Sequence, residues 1–567
     1  MAQSETAPHA STAATGFAQL RQYQGEWLRT DVIAGVGVTA YLVPQCLAYA
    51  GIVGAPPLTS LWVAIIAMVV YAVLGTSRLL SVGPEAGASV MVAAAVAPLA
   101  GTDPVRWLAL SAALAVLVGL ACVAAWALRL GFVADMLSRP ILLGYMAGLG
   151  VVMILGQLGS LTGVGLTSTS NLGKAVELAS RLGEVNPVVL ALGATVVTGL
   201  VLQRQVRPLA PGTLIAVIAG GVAVFVFGLD RHGVALVGSV PSGLPSISLP
   251  AVGLGDVEAL LGGAAAVTFV AYSEVVLTGR AFAVRTGEEI DANQEFLALG
   301  IANLAAGLTG GFALSASGSR SAILDALRAR TQLAGLVAAA STVVIVLLTP
   351  GLIALIPQAA LAGIVVFAGL RLIRVRELRR LARFRSTELG LALAALAGVL
   401  LFDVLAGILI AIALSVADLF VRVARPPASI LGRVPGLAGL HNIEDYPDAT
   451  QVPGLLVFRY DAPLCFANAA DFRLRALAAV DGQPVKVQWF LLNAEAIVEL
   501  DTTAVEVLAQ LARDLARRNV LFAMARVKQT LRAQLARGEL LQVIDEERIY
   551  PTLPVAVEAF ERWRERR

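Results

Sequence analysis

The chain has 567 residues, a mean hydropathy of +0.80, only 14% charged residues and a formal net charge of +3. That composition excludes an ordinary soluble enzyme and places the chain among polytopic membrane proteins. So small a net charge on so long a chain gives no basis for nucleic-acid binding, and none is expected.

In chain order, residues 1–20 are polar, rich in Ala, Ser and Thr, and lack the apolar core of a signal peptide; they are expected to form a disordered tail. The shift in composition divides the chain into an N-terminal tail (1–29), a transmembrane domain (30–425), a linker opened by Pro426-Pro427 (426–452) and a soluble domain (453–567). The three cysteines, Cys46, Cys122 and Cys465, give no disulfide framework, and the first two are small core residues of apolar segments.

A straight span needs about 20 apolar residues. By that measure spans fall near 31–50, 58–76, 85–100, 105–128, 140–160, 187–203, 212–228, 259–280, 293–309, 318–328, 331–349, 352–370, 387–402 and 404–421. If the N-terminus is cytoplasmic, every even-numbered span ends inside. Each does end beside arginine, from Arg78 after the second, through the run from Arg371 to Arg385 after the twelfth, to Arg422 and Arg425 after the last. The opposite loops carry only Arg106, Lys174, Arg181 and Arg231, so the positive-inside rule puts both termini in the cytoplasm of a cell-membrane protein.

The fourteen spans split as seven plus seven, and because seven is odd the second half is inverted relative to the first. The third span of each half is short and broken by Gly, Ser or Pro. Paired broken spans at matching positions point to an inverted-repeat transporter with a site near the membrane midplane. Beyond the linker, strands at 454–460, 486–492 and 520–524 alternate with helices near 468–480, 502–518 and 528–537, which is the pattern of a small α/β domain.

The tenth span opens on Ser315-Ala316-Ser317-Gly318-Ser319-Arg320-Ser321. An arginine near mid-bilayer costs roughly 2.5–3.5 kcal/mol on insertion scales, so it must be paired or line a wet cavity. Arg320 reads either as an anion ligand, with Ser317, Ser319 and open N–H groups at a helix start, or as one half of a structural ion pair with Glu274 or Asp325. The third span opens on Gly83-Pro84-Glu85-Ala86, with proline suited to a first helical turn. Glu85 reads as a counter-charge to the helix end or as a carboxyl whose protonation favours anion binding. Glu274 and Thr278, four apart on the eighth span, can hold a proton or a sodium ion, or simply close a helix contact. In the first span Pro44 is expected to break the helix, with Gln45 and Tyr49 on one face beyond it. The histidines, His9, His232 and His441, all lie outside the spans, which leaves no His relay or His-based metal site. No nucleophile motif or P-loop supports an enzyme or an ATP-driven pump, and no cofactor is expected.

Val32-Ile33-Ala34-Gly35 with Leu42-Val43-Pro44-Gln45-Cys46-Leu47-Ala48-Tyr49-Ala50 resembles the first helix of the SulP sulfate permease family (solute carrier family 26). So do Gly75-Thr76-Ser77-Arg78, Gly83-Pro84-Glu85-Ala86, Ser319-Arg320 and Arg330-Thr331-Gln332-Leu333-Ala334-Gly335. The C-terminal domain resembles that family's STAS domain. The resemblance implies a 7+7 inverted repeat with a core (spans 1–4 and 8–11) and a gate (5–7 and 12–14), elevator-like motion and a homodimer in the lipid membrane. It also implies an anion site between the starts of spans 3 and 10, with Ser317, Ser319, Arg320, Gln45, Tyr49, Glu85 and Ala86 as substrate-binding residues. Glu274 and Thr278 match sodium-binding positions of a bicarbonate-transporting relative. Two departures stand out. Glu85 replaces an uncharged residue and leans towards proton coupling, and Asp501-Thr502-Thr503-Ala504 replaces the phosphorylatable pattern, leaving Thr502 and Thr503 as regulatory candidates or a plain helix cap.

The expected function is therefore a secondary active anion transporter, for sulfate, bicarbonate or dicarboxylate, coupled to H⁺ or Na⁺. The alternatives are an uncoupled exchanger or channel, a membrane-tethered STAS interaction protein, and a nucleobase permease of the same fold.

Overall fold

A computed structural model of the chain describes residues 15–101, 103–132, 138–168, 170–238, 245, 247–402 and 404–566. It divides into two compact units, Met1–Ser415 and Val416–Arg567.

Among the described residues, fourteen helices fall on the fourteen expected spans. They are α1 (Leu28–Val53), α2 (Pro57–Leu74), α3 (Ala86–Ala100), α4 (Pro104–Ala127), α5 (Arg139–Gly156), α6 (Pro187–Val206), α7 (Gly212–Phe227), α8 (Leu254–Thr286), α9 (Ala292–Leu308), α10 (Gly318–Ala326), α11 (Leu333–Leu348), α12 (Gln358–Leu372), α13 (Ser386–Phe402) and α14 (Val404–Ala424). Seven have the length and hydropathy to cross a membrane, an eighth span is α12 taken together with the helix that follows it to Phe384, and α3, α7, α11 and α13 are apolar but shorter. The shortest, α10, has nine residues. Just before it and before α3 lie two-residue strands, β1 (Val82–Gly83) and β2 (Ser315–Ala316), which pair antiparallel as Val82↔Ala316 and Gly83↔Ser315. Backbone that leaves its helix at membrane depth must find other partners for its N–H and C=O groups, and here each broken span supplies them to the other.

The helices pack in two sets. In one, α4 packs on α9 and α8, α11 on α1 and α2, and α9 on α2; in the other, α5 packs on α13 and α12, and α12 on α6. Three of these contacts recur seven helices on: α4–α9 with α11–α2, α8–α4 with α1–α11, and α5–α13 with α12–α6. The closest seam lies between α5 and α13. A Cβ on Gly144 would sit 1.8 Å from the Ala392 carbonyl oxygen, and one on Gly148 would sit 2.8 Å from Val399 Cβ. In an apolar solvent, helix pairing rests on such close approach at small residues.

Two expectations fail within this unit. Pro44 does not break the first helix: α1 runs unbroken through it from Leu28 to Val53. A proline removes one N–H donor, and the packing on both flanks of α1 holds the rest of the helix in line. The expectation of a disordered tail over residues 1–20 also fails at its C-terminal end. Residues 1–14 lie outside the described residues, but Gly16–Arg21 is helical, with Gly16 N–H donating to the Gly75 carbonyl at 2.7 Å and Gln19 Nε2 to the Thr76 carbonyl at 3.0 Å. The composition of this segment is that of a tail; its order comes from the α2–β1 loop it caps.

The second unit holds a six-stranded sheet of order β4-β3-β5-β6-β7-β8, formed by β3 (Ala428–Arg433), β4 (Leu440–Asn442), β5 (Leu455–Tyr460), β6 (Trp489–Asn493), β7 (Leu521–Ala525) and β8 (Ile549–Tyr550). β5 to β8 run parallel, while β3 is antiparallel to both its neighbours. Helices α15 (Ala469–Asp481), α16 (Thr502–Arg517), α17 (Gln529–Arg537) and α18 (Leu540–Ile544) cover one face, and α19 (Leu553–Glu565) covers the other with Phe560 and Trp563 against Trp489. Burial on both faces explains the unbroken apolar run of β6. β3 and β4 lie in the stretch whose composition reads as linker.

Gly144→Ala should cost about 1–3 kcal/mol by overpacking, seen as a lower thermal unfolding midpoint of the purified protein. Gly156→Ala, on the same helix with nothing within 4 Å of the added carbon, should leave the midpoint in place.

Candidate anion-binding site

The antiparallel β1–β2 ladder sends the chain away in opposite directions, so α3 and α10 begin on either side of one short junction. Ser81 extends that ladder. Its carbonyl accepts from Ser317 N–H at 2.9 Å, and its N–H donates to Ser321 Oγ at 2.9 Å. Arg320, fully buried, reaches across: Nε donates to Ser81 Oγ at 3.1 Å and Nη1 to the Pro84 carbonyl at 2.8 Å. Among the described residues it has no ion-pair partner, so the expected alternative of a salt bridge to Glu274 or Asp325 is not the arrangement found. Its third nitrogen, Nη2, is buried and has no hydrogen-bond partner. Gly83 makes room for it, because a Cβ there would lie 3.3 Å from Nη2.

The two helix starts are capped differently. Glu85, not Pro84, is the residue at the head of α3, and its Oε2 accepts from Gly87 N–H at 2.5 Å and from Ala88 N–H at 3.3 Å. Its carboxylate thus lies on the donors that an incoming anion would use. Ala86 is buried directly behind it. On α10, Ser317 Oγ is a long 3.5 Å from Arg320 N–H and 3.1 Å from Ser319 Oγ. Gly318 is exposed and Ser319 partly so, which makes this the open side of the junction.

Glu274 and Thr278 of α8 border the same opening, both partly exposed. Ser315 Oγ donates to Glu274 Oε2 at 3.2 Å and to the Ala271 carbonyl at 3.0 Å. Thr278 Oγ1 would lie 4.0 Å from a Cβ built on Gly318. From α1, Tyr49 is buried within electrostatic reach of both Arg320 and Glu85, and Gln45, one turn earlier, is buried with its Oε1 unpartnered among the described residues. An Asn or Gln amide can be turned end for end, so Gln45 can offer either a donor or an acceptor. The α1, α3, α8 and α10 residues singled out in the sequence are therefore brought together at one junction. Thr502 and Thr503 lie in the second unit, exposed on the first turn of α16, whose cap is Asp501 Oδ1 accepting from Ala504 N–H at 2.8 Å.

The sequence did not single out the groups that hold this junction. Glu295 of α9, fully buried, accepts from Tyr71 OH at 2.9 Å, Thr76 N–H at 2.8 Å and Thr76 Oγ1 at 2.6 Å. Gln332 Nε2 donates to the carbonyls of Ser77 at 2.7 Å and Leu80 at 3.0 Å. Asn303 does the same for the other strand, Oδ1 accepting from Leu314 N–H at 3.0 Å. A carboxylate in the ninth span was the available signal for Glu295; Gln332 and Asn303 carry none beyond being polar in apolar segments.

Comparison with known proteins gives two family matches, the sulfate permease family over residues 28–395 and the STAS domain over 446–556. A probable sulfate transporter of Mycobacterium tuberculosis is 50% identical over 549 residues, covering 97% of this chain and 98% of its own. Sulfate transporter 4.1, chloroplastic, of Arabidopsis thaliana is 29% identical over 96% of this chain and 82% of its own. Among solved structures, the murine solute carrier 26 family member A9 anion transporter, in its inward-facing state, aligns with a TM-score of 0.88 at 19% identity, over 98% of this chain and 96% of that one. The transmembrane domain of the cyanobacterial bicarbonate transporter BicA aligns at 0.62 and 25% identity, over 68% of this chain and 98% of that one.

Glu295→Ala leaves the Tyr71 hydroxyl and both Thr76 donors without their acceptor in a dry interior. The loss expected is about 3–5 kcal/mol, read as a lower unfolding midpoint, and Glu295→Gln should restore part of it.

Proposed function

The chain belongs to the sulfate permease family, a family of transporters and not of enzymes, and we propose that it is a secondary active importer of sulfate driven by protons. The observation that carries this reading is the Glu85 carboxylate lying on the Gly87 and Ala88 N–H groups beside an arginine with one free nitrogen. While Glu85 is ionised, it fills the positive end of α3 and repels a second anion. Once protonated, it no longer competes, and the freed N–H groups, Arg320 Nη2 and the Ser317 and Ser319 hydroxyls form a seat for a tetrahedral dianion. Glu274, hydrogen-bonded to Ser315 at the border of the same opening, is the second carboxyl that ties proton uptake to anion uptake. The names of the relatives favour sulfate over bicarbonate or a dicarboxylate. A sodium ion on Glu274 and Thr278 is the second reading, since both are partly exposed at the opening and only one turn apart.

The two helix sets suggest how the seat changes sides. Every seat residue belongs to the set of α1–α4 and α8–α11, so this core can carry the site past the gate of α5–α7 and α12–α14 as in an elevator. The contacts that recur seven helices on support the inverted 7+7 repeat. The arginine distribution supports cytoplasmic termini, and the family resemblance supports a homodimer. Thr502 and Thr503, exposed at a helix start where a phosphate is favoured, are the proposed sites of regulation.

In proteoliposomes, labelled sulfate uptake should rise with an inward proton gradient, and its apparent affinity should fall as pH rises and Glu85 ionises. Glu85→Gln, neutral at every pH, should flatten that dependence. Arg320→Ala should weaken sulfate by roughly ten- to a hundredfold, the worth of a hydrogen bond to a charged group. Uptake indifferent to both proton and sodium gradients would mean an uncoupled exchanger or channel.

A further inference from the structure

Between α12 and α13 lies a ten-residue helix, Val375–Phe384, joined to α12 by only Ile373 and Arg374 and to α13 by Arg385 alone. Two membrane helices so closely joined hold it at the bilayer surface. Its composition is lopsided. At 100° per residue, Arg376, Arg379, Arg380 and Arg383 share one face about 100° wide, while Val375, Leu378, Leu381 and Ala382 share the opposite one.

Leu378 and Leu381 are partly buried where the helix packs on α13 and α5. All four arginines are exposed. They stand three or four apart, so each has like-charged neighbours roughly 5–6 Å away at Cβ, an arrangement that destabilises a helix unless something of opposite charge meets it. The carboxylate within the helix, Glu377, is already taken: Arg139 Nη2 lies 3.1 Å from it and Arg374 Nη1 3.4 Å. Among the described residues none of the four pairs with a carboxylate. Val375 and Phe384 remain 47% and 75% exposed, apolar surface that favours the lipid interface over open water.

We propose that this helix is a docking site for anionic phospholipid headgroups, which neutralise the face of Arg376, Arg379, Arg380 and Arg383 while Val375 and Phe384 enter the headgroup–acyl boundary. Guanidinium groups suit this task because they meet a phosphate through two parallel N–H donors. The surface is distant in sequence from the anion seat and independent of the transport reading.

The test uses the full chain in neutral detergent, titrated with phosphatidylglycerol or with phosphatidylcholine of the same acyl chains and observed by native mass spectrometry. The intact protein should take up phosphatidylglycerol at least about tenfold more readily than phosphatidylcholine. R376Q/R379Q/R380Q/R383Q should lose that preference while its phosphatidylcholine binding stays unchanged, and the four Arg→Lys exchanges should keep most of it. Should the quadruple variant fail to fold, R379Q/R383Q and a salt series on the intact protein serve instead. Both should lower the preference, since exposed charges are screened. A preference that survives the arginine exchanges or is indifferent to salt overturns the proposal. So does displacement of the lipid by millimolar inorganic phosphate, which would make the face a free-anion site.

Discussion

A guanidinium withdrawn from water at membrane depth is the constraint on which the rest of the membrane unit depends. Arg320 is fully buried, and no carboxylate among the described residues pairs with it. Its charge is met instead by the Ser81 hydroxyl and the Pro84 carbonyl, both on the other broken span. Those partners exist only because β1 and β2 cross antiparallel, and that crossing holds only while Glu295, Gln332 and Asn303 pin the loops that feed it. A buried polar group left half satisfied costs more than the bond it lost. The three pins therefore belong to the site, although none of them faces the opening.

The same junction explains why a carboxylate belongs beside an anion seat. A helix start offers free N–H groups and a positive dipole end whether or not substrate is present, and a dry, empty seat leaves them unsatisfied. Glu85 satisfies them from within the chain. In the transport cycle proposed above, that position makes the carboxylate an internal competitor for the substrate, displaced when it takes up a proton. Serine does the equivalent on α10 without charge, and does it weakly, with Ser317 Oγ 3.5 Å from the Arg320 N–H. One half of the junction is thus capped by a titratable group and the other by a hydroxyl.

How much of this was legible follows from the range of each interaction. Hydropathy and arginine placement are properties of single segments, so all fourteen helices were visible in them. The residues of the proposed seat stood out too, because Arg320, Glu85 and Glu274 are charges where the solvent forbids charge. What could not be read depends on partners far along the chain. Two-residue strands have no periodicity to detect, and β3 follows a Pro-Pro pair and gains its strand character only from β5. Gly16–Arg21 is ordered by carbonyls some 60 residues away. Pro44 misled because a propensity rule for water was applied to a helix held on both sides by protein.

Close approach at glycine also bears on which parts can move together. Within the set that carries the seat, a Cβ on Gly35 would meet the Ala334 carbonyl oxygen at 2.6 Å and one on Gly307 the Ala112 oxygen at 2.7 Å. Within the other set, Gly144 meets Ala392 and Gly150 meets Gly369 at 1.8 and 2.5 Å. Seams of this kind fix helix pairs in one register, because any slide drives carbonyl oxygen into carbon. Between the sets, beside Glu85, the contact is of another kind: a Cβ on Gly87 would meet Glu85 Oε2 at 3.0 Å and, from the other set, the tip of the Leu149 side chain at 3.1 Å. A flexible side chain can yield where backbone cannot. The start of α3 is therefore packed against a yielding side chain at Leu149, while the seams within each set are backbone against backbone.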